Sequence, residues 1–300
     1  MSAFREGETE EYCSMNSRFY DRSRIRVFSA ATVFLLTALC MMMLASSPVS
    51  AGNRKASLSR KARVRIYGVC PRNAKTGAYR WLDGSFQNGG FYDRYGNLVT
   101  SFELEDRKPV PKIARLSGRP YLFIGASRTR QYSNYVKDRQ TFFYGCSGAR
   151  FDWFFRCGKD GEYYPAYHVI RAYAMLHPGG TVIVDMGGND IRNVRVYASF
   201  YRELMEKFPA VTFYFLMPLP YEIGTQDNGN RLEFCRKIEE EVPGHVINVF
   251  EEVYRRVLLR FPTLDGKHYS AVSSRMSYEI VCNRMGRMIT VNKRTGKVTG

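Results

Sequence analysis

The sequence predicts an α/β fold in which helices cover both faces of a parallel sheet. Five short apolar runs, each typical of a buried strand, follow residue 120. Longer helix-compatible stretches separate or follow these runs. We therefore expect a three-layer α/β/α sandwich with a five-stranded parallel sheet and right-handed crossovers. An N-terminal apolar helix and a small segment with a β-hairpin precede it.

The first element is an uncharged apolar run of 19 residues, residues 27–45. A helix of that length, at about 1.5 Å per residue, nearly spans a hydrocarbon core. Three arginines precede the run, and Val49 and Ala51 fit a signal-peptidase site that cuts after Ala51. The length of the run favours a retained anchor, and a buried core helix is a third interpretation. We predict that residues 1–51 form a signal peptide or membrane anchor.

The flanking charges bear on location. The arginines directly before the run favour export, so the folded part is predicted to be extracytoplasmic, either membrane-anchored or secreted. Basic residues between positions 54 and 65 argue the other way, because such residues tend to remain in the cytoplasm.

Two short regions follow the apolar run. Residues 52–66 are polar and basic and predict a linker. Residues 67–118 predict a small N-terminal segment with a β-hairpin that turns near residues 95–97. This stretch loosely resembles one unit of the aromatic cell-wall-binding repeats of bacterial surface proteins, and an ordinary hairpin is the alternative. Residues 119–300 form the predicted α/β domain.

The elements of that domain follow in order. Strands are predicted at residues 121–125, 141–145, 181–186, 212–217 and 245–250. Helices are predicted at about residues 129–138, 164–176, 194–208, 231–241, 251–260 and 271–288. The strands are near-continuous apolar runs, as expected of strands that are buried on both faces.

Small and polar residues follow several of these strands. Ser127 follows the first strand, Gly148 the second and Asn189 the third. Asp265 and His268 follow the last strand. Ligands of open parallel sheets bind where the carboxyl ends of the strands meet. We therefore expect these residues to converge at one edge of the sheet.

These residue types suit acyl transfer. A serine hydroxyl needs a base to become a nucleophile, and His268 is the candidate base for Ser127. Asp265, three residues before that histidine, can orient its ring by accepting the Nδ1 proton in a hydrogen bond. The N–H groups of Ser127 and Gly148 and the side-chain amide of Asn189 can form an oxyanion hole.

The set closely resembles the SGNH hydrolases, also called GDSL esterases and lipases, over about residues 120–290. The family's signature serine, glycine, asparagine and histidine are matched in order by Ser127, Gly148, Asn189 and His268. Asp265 matches the aspartate of the family's D-x-x-H motif. The resemblance implies a flavodoxin-like sandwich and an SGNH hydrolase-like catalytic domain at 119–300, with serine esterase, lipase or acyltransferase chemistry.

Two positions complicate the resemblance. Gly145 is an alternative to Gly148 as the signature glycine. Ala126 stands where the family's first motif has aspartate, which affects local hydrogen bonding and substrate preference.

Several residues also have structural interpretations. Ser127 could cap a helix, since serine is favoured there. Asp265 could be a turn residue, and Asp190 is predicted to stabilise the loop that carries Asn189. Arg128 and Arg130 could attract an anionic substrate or lie on a solvated helix face. The aromatic stretch 151–155 could line an acyl pocket or belong to the core.

Five of the seven cysteines lie after residue 51: Cys70, Cys146, Cys157, Cys235 and Cys282. One or two disulfides are possible in an exported protein, with Cys146 and Cys157 the nearest pair in sequence. Buried thiols are the alternative.

The net charge of +17 lies entirely after residue 51, because residues 1–51 are neutral. It favours attraction to an anionic membrane or cell-wall polymer. No nucleic-acid partner is predicted, because no clustered basic face is evident. No cofactor or metal is expected, because the chain has no P-loop, G-x-G-x-x-G or H-E-x-x-H motif.

We therefore expect a serine-dependent hydrolase that removes an O-acyl, acetyl-like group from a carbohydrate or cell-surface polymer through an acyl-enzyme. An O-acyltransferase would use the same site with a sugar hydroxyl in place of water. A non-enzymatic surface-binding protein on the same scaffold is the other alternative, although it leaves the serine, asparagine, aspartate and histidine unexplained.

Overall fold

The computed structural model of the chain describes residues 66–67, 83–158, 163–222 and 227–300. Its first elements are β1 (Ile66–Tyr67), β2 (Ser85–Gln87), β3 (Gly90–Tyr92), β4 (Leu98–Ser101), α1 (Phe102–Asp106) and β5 (Lys112–Ile113). Strands β2, β3 and β4 form an antiparallel sheet in that order, and β1 pairs antiparallel with β5.

The hairpin predicted near residues 95–97 is confirmed as the connection between β3 and β4. The Asp93 carboxylate accepts hydrogen bonds of 2.9 Å from the N–H groups of Tyr95 and Asn97. Gly96 has a φ of +81°, a conformation that is accessible to glycine because it lacks a Cβ. The remaining strand of this sheet, β2, was not predicted.

The aromatic side chains of this segment are buried in the core of the α/β domain. Phe86, Phe91 and Phe102 belong to the same hydrophobic cluster as Phe155 and Phe200. The ring of Phe86 lies 5.0 Å from that of Phe200, in an edge-to-face arrangement. The segment therefore contributes directly to the packing of the larger fold.

The predicted parallel sheet is confirmed. Its strands are β6 (Tyr121–Gly125), β7 (Thr141–Gly145), β8 (Thr181–Asp185), β9 (Thr212–Leu216) and β10 (Val246–Ile247). In space the order is β7, β6, β8, β9, β10, with every neighbouring pair parallel. This is the flavodoxin-like order, in which the direction of winding reverses between the first and third strands.

The fifth strand, β10, is shorter than the predicted range of 245–250. The Asn248 side chain accepts a hydrogen bond of 3.2 Å from the N–H of Phe250, and the chain enters a helix at that residue. The local turn therefore ends the strand before the apolar run ends.

Helices connect the strands and follow the last one. They are α2 (Ser127–Tyr135), α3 (Ala166–Leu176), α4 (Val194–Lys207), α5 (Asp227–Glu241), α6 (Phe250–Val253) and α7 (Ala271–Arg284). The helix predicted at 251–260 begins as α6 and continues as a π-helical turn, Tyr254–Leu258. A final antiparallel pair, β11 (Thr290–Val291) and β12 (Val298–Thr299), was not predicted.

The sheet separates two hydrophobic clusters. Leu122 and Ile124 of β6 belong to one cluster, and Phe123 of the same strand belongs to the other. Because successive side chains of a strand point to opposite faces, the clusters lie on opposite sides of the sheet. Helices α3, α4 and α5 contribute to the first cluster, and α2 and α7 contribute to the second. The three-layer prediction is therefore confirmed.

The apolar helix predicted at residues 27–45 lies outside the described residues, as does almost all of the predicted linker. Within the ranges that the structure does describe, no helix is both long enough and apolar enough to cross a membrane.

Candidate active site

Ser127 lies where the strand order reverses. It is the first residue of α2, directly after β6, and it shares a pocket with Asn189, which follows β8. Glycine is required at the end of β6, because a Cβ on Gly125 would lie 2.4 Å from the carbonyl oxygen of Asp185. This close approach brings the loops after the two strands together.

The hydroxyl of Ser127 does not cap the helix. Ala126 occupies the N-cap position of α2, and Ser127 lies within the first turn. The N–H groups of a first turn have no partner inside the helix, so that of Ser127 is free of intrahelical bonding. The hydroxyl oxygen instead lies 3.3 Å from Nε2 of His268. The helix-cap interpretation is therefore wrong.

His268 contacts Asp265 on its other side. Its ring Nδ1 lies 2.6 Å from one carboxylate oxygen of Asp265, and its backbone N–H donates to the other oxygen over 2.7 Å. These two hydrogen bonds lower the pKa of Asp265 to about 2. The carboxylate is therefore ionised at neutral pH and can hold the ring with Nε2 facing the serine.

The loop that carries His268 is tied to the helix that carries the serine. The Gln131 side-chain amide donates to the carbonyl oxygen of Tyr269 over 2.9 Å, and the Tyr269 hydroxyl donates to the carbonyl of Pro220 over 2.8 Å. The sequence analysis missed Gln131. Its position, four residues after Ser127 and one turn along the same helix face, was the available signal.

Asn189 faces the same pocket as Ser127 and His268. One hydrogen of its amide is donated to the carbonyl oxygen of Ala149 over 2.8 Å. An amide nitrogen carries two hydrogens, so the second can be offered to a ligand.

Gly148 and Gly145 have different surroundings. Gly148 has a φ of +75° and lines a second cavity, of about 360 Å³, together with Ser147 and Ala149. It is adjacent in sequence to the acceptor of the Asn189 amide, but it does not line the pocket of Ser127. A Cβ on Gly145 would lie 2.4 Å from the backbone nitrogen of Arg130, so packing alone explains glycine there.

The loop after β8 is held by Asp190. Its carboxylate accepts hydrogen bonds of 2.8 Å from the N–H of Phe151 and from the hydroxyl of Tyr197. The predicted loop-stabilising role of Asp190 is therefore confirmed. The aromatic residues of the 151–155 stretch are buried in the first hydrophobic cluster, which confirms the core interpretation for them.

The pocket contains three cations, of which Arg128 was considered from the sequence as a residue that could attract an anionic substrate, whereas Arg231 and Lys267 were not predicted there. Arg128, Arg231 and Lys267 line the same cavity, of about 110 Å³, as Ser127 and His268. The solvated-face interpretation is wrong for Arg128, because its Nε atom is buried. It fits Arg130, which donates to the exposed Ser147 hydroxyl over 3.1 Å.

The suggested pairing of Cys146 with Cys157 is wrong. Cys157 is disulfide-bonded, whereas Cys146 is a buried thiol outside any disulfide. Cys235 and Cys282 are also buried thiols. Among the described residues, no group of three or more histidine, cysteine, aspartate or glutamate side chains is placed to hold a metal ion.

No protein-family model and no curated protein match this sequence. Solved structures do show a similar fold. The chain resembles hydrolases of the SGNH type. A candidate SGNH hydrolase from Slackia heliotrinireducens is 14% identical, with a TM-score of 0.42 over 58% of this chain and 100% of that chain.

Two further similar structures have names that state an activity. An acetyl xylan esterase from Geobacillus stearothermophilus is 16% identical, with a TM-score of 0.40 over 59% of this chain and 99% of its own. The catalytic domain of a peptidoglycan O-acetyltransferase from Streptococcus pneumoniae is 10% identical, with a TM-score of 0.39 over 56% of this chain and 91% of its own.

Proposed function

We propose that this chain is a serine-dependent carboxylic ester hydrolase. The observation that carries the proposal is a continuous series of contacts from the Ser127 hydroxyl through both ring nitrogens of His268 to the Asp265 carboxylate. A nucleophile in contact with a base that is itself oriented by a carboxylate is the arrangement that serine acyl transfer requires.

In the first half-reaction, Ser127 Oγ attacks the carbonyl carbon of the ester, and its proton passes to Nε2 of His268. The resulting imidazolium is stabilised by the ionised Asp265. Collapse of the tetrahedral intermediate breaks the bond to the alcohol oxygen, which takes the proton from His268. The products are the free alcohol and an acyl group bound to Ser127.

The negative charge of the tetrahedral intermediate requires preorganised donors. Two of the proposed donors are the backbone N–H of Ser127, in the first turn of α2, and the second amide hydrogen of Asn189, and both residues line the pocket. The N–H of Gly148 is the third proposed donor, although Gly148 lines the neighbouring cavity in this structure. Each such donor contributes about 2.7–4 kcal/mol of transition-state stabilisation.

In the second half-reaction, water attacks the acyl group while His268 Nε2 accepts its proton. The intermediate collapses to release the carboxylic acid, and His268 returns the proton to Ser127 Oγ. A sugar hydroxyl in place of that water would make the same site an O-acyltransferase.

For the substrate we propose an O-acyl, acetyl-like group on a carbohydrate or cell-surface polymer, with the catalytic domain outside the cytoplasm. Two features support this location. Cys157 is disulfide-bonded, and structural disulfides are typical of oxidising compartments. The net charge of +17 favours retention near anionic membranes or wall polymers.

The proposal is tested with the full chain and 4-nitrophenyl acetate. We expect turnover by the wild type, its loss in Ser127→Ala, and covalent labelling of Ser127 by a fluorophosphonate probe. Ser133→Ala is the matched control, because Ser133 lies on the same helix and its hydroxyl donates to the backbone carbonyl of Arg130. Equal turnover by wild type and Ser127→Ala would refute the hydrolase.

The same assay separates hydrolysis from transfer. With an acetyl donor and an excess of xylooligosaccharide or chitooligosaccharide, release of acetate alone supports the hydrolase. Accumulation of the acetylated sugar would assign the site to an acyltransferase.

A further inference from the structure

The pocket beside Ser127 is rich in positive charge. Arg128, Arg231 and Lys267 all line it, whereas Asp185 is the only carboxylate among the lining residues that the structure describes. Hydrolysis of a neutral acetyl ester requires no cation here, because the proposed oxyanion donors are uncharged amides. The cations therefore call for a separate explanation.

Arg128 follows the nucleophile directly in the sequence and lies close to the pocket wall. Its guanidinium carbon is 4.9 Å from the centroid of the Tyr269 ring, an arrangement that stabilises a cation without neutralising it. Among the described residues, no carboxylate lies within ion-pair distance of Arg128, and its buried Nε atom has no hydrogen-bond partner. A buried guanidinium nitrogen without a hydrogen-bond partner is costly unless a ligand or water supplies one.

The ring of Tyr221 contacts the other two cations. The guanidinium carbon of Arg231 lies 3.5 Å from the centroid of its ring, and Nζ of Lys267 lies 5.5 Å from it. Arg231 also donates to the backbone carbonyls of Leu219 and Gly188, each over 3.3 Å. These contacts fix the guanidinium in place.

Among the described lining residues, one carboxylate, that of Asp185, stands against these three cations. Asp185 accepts a hydrogen bond of 2.9 Å from the Thr129 hydroxyl, and burial raises its pKa, while the charges of Arg128 and Arg231 act in the opposite direction. The N-terminus of α2 adds a further partial positive charge next to Ser127. The net field in the pocket therefore favours an anion.

We propose that this pocket binds an anionic oxygen group of the substrate, a carboxylate or a phosphate, so that the preferred esters carry such a group close to the acyl bond. Arg128 and Lys267 supply the charge-assisted hydrogen bonds from two sides. The inference rests on the proposed function, since it names the substrate class of the same site.

The test compares esters that differ in one group: O-acetylated glucuronic acid, O-acetylated glucose and O-acetylated glucose 6-phosphate. Acetate release gives kcat/KM for each. We expect the wild type to prefer at least one anionic ester over the neutral one by about ten-fold. The two anionic esters distinguish carboxylate from phosphate recognition.

Removing one pocket cation at a time shows whether the preference for anionic esters arises in this pocket. The ratio between anionic and neutral esters is expected to fall toward one in Lys267→Met and in Arg128→Gln. Arg139→Gln removes the same charge from an exposed position just before β7. This position is at the amino end of the strand, away from the pocket at the carboxyl ends, so the variant should keep the ratio. Equal kcat/KM for charged and neutral esters in the wild type, or a preference that survives both pocket variants, would overturn the proposal.

A binding measurement separates this proposal from the catalytic one. Ser127→Ala is titrated calorimetrically with O-acetylated glucuronic acid and with O-acetylated glucose. Tighter binding of the anionic sugar supports the pocket even if no ester is turned over. If Ser127→Ala binds both sugars equally while the wild type turns over 4-nitrophenyl acetate normally, the proposed anion recognition is wrong and the proposed hydrolase activity stands.

Discussion

The side-chain amide of Asn189 donates a hydrogen bond of 2.8 Å to the backbone carbonyl of Ala149. The two residues lie on the loops that follow the third and second strands of the parallel sheet. Their bond therefore links the loop that faces the pocket with the loop that carries Gly148. An asparagine is suited to this position, because one amide hydrogen can hold the loop while the other faces a ligand.

Replacing Asn189 with alanine removes both functions. We expect kcat for an ester substrate to fall by about 10²–10³-fold, since one oxyanion donor is lost, with a smaller change in KM. Steady-state kinetics on 4-nitrophenyl acetate measure the effect. Asn248→Ala is the control, because Asn248 accepts a bond in a loop away from the pocket. Unchanged kcat in Asn189→Ala would remove this residue from the oxyanion hole.

Asp265→Asn tests the orientation of the base. The substitution keeps the size of the side chain but favours the wrong tautomer of His268, so kcat is expected to fall by up to about 10⁴-fold. Asp265 is exposed, and the melting temperature should change little. Asp93→Asn changes a comparable exposed turn carboxylate in the hairpin and should leave kcat unaltered. A loss of less than about ten-fold in Asp265→Asn would argue that this carboxylate does not orient the ring.

Asp190 should make stability depend on pH in an unusual direction. Burial raises its pKa to about 6, above the ordinary value of about 3.9 for aspartate. The folded state then binds the proton more tightly than the unfolded state, so stability increases as pH falls from about 6 to about 4. Urea denaturation across this range measures the effect.

Asp190→Asn is the matched variant. Its carbonyl oxygen can still accept from the N–H of Phe151, and its amide can donate to the Tyr197 oxygen, but it does not titrate. The difference in stability between wild type and variant should therefore shift toward the wild type below pH 6. A difference that stays constant from pH 4 to pH 7 would show that Asp190 does not retain its proton in the fold.

The contact between Asp138 and Arg287 is predicted to stabilise the C-terminal part of the domain. Two guanidinium nitrogens of Arg287 donate to the carboxylate over 2.6 and 3.0 Å, and Asp138 is only 3% exposed. Removing one partner leaves a buried charge, so Asp138→Ala should lower the free energy of unfolding by about 3–5 kcal/mol.

Arg284→Ala is the comparison variant, because Arg284 is the last residue of α7 and lies three residues before Arg287. Arg284 pairs with Glu252 over 3.5 Å at the surface, and such pairs contribute about 0–1 kcal/mol. Urea denaturation should therefore separate the two variants clearly. Similar small losses in both would mean that the buried pair is not a net stabilising contact.

Much of this architecture was accessible from the sequence because its signals are local. The strands at 121–125 and 141–145 were predicted with the observed bounds, since each is an apolar run that ends at a glycine. Errors arose where a neighbouring contact overrides the pattern. The fifth strand stops early at the Asn248 turn, and β2 is too short to show an alternating pattern.

The candidate site likewise has residues that local motifs predict and contacts that only distant parts of the chain create. The order of Ser127, Asn189, Asp265 and His268 along the chain could be recognised, because each residue stands in a short motif next to a predicted element. The spacing of Gln131 from Ser127 placed it on the same helix face, but its contact with Tyr269, 138 residues away, could not be recognised from the sequence.

The sequence by itself therefore determined the class of fold, the residues proposed for acyl transfer and the uneven distribution of charge. Only the tertiary structure decided that Ser127 and His268, 141 residues apart, lie in contact. It also decided that Arg128 lines the same pocket with its Nε atom buried and that Gly148 lines a different cavity. The physical reason is that apolar periodicity and turn chemistry act between near neighbours in the chain. Pocket composition, by contrast, depends on which distant loops the sheet brings together.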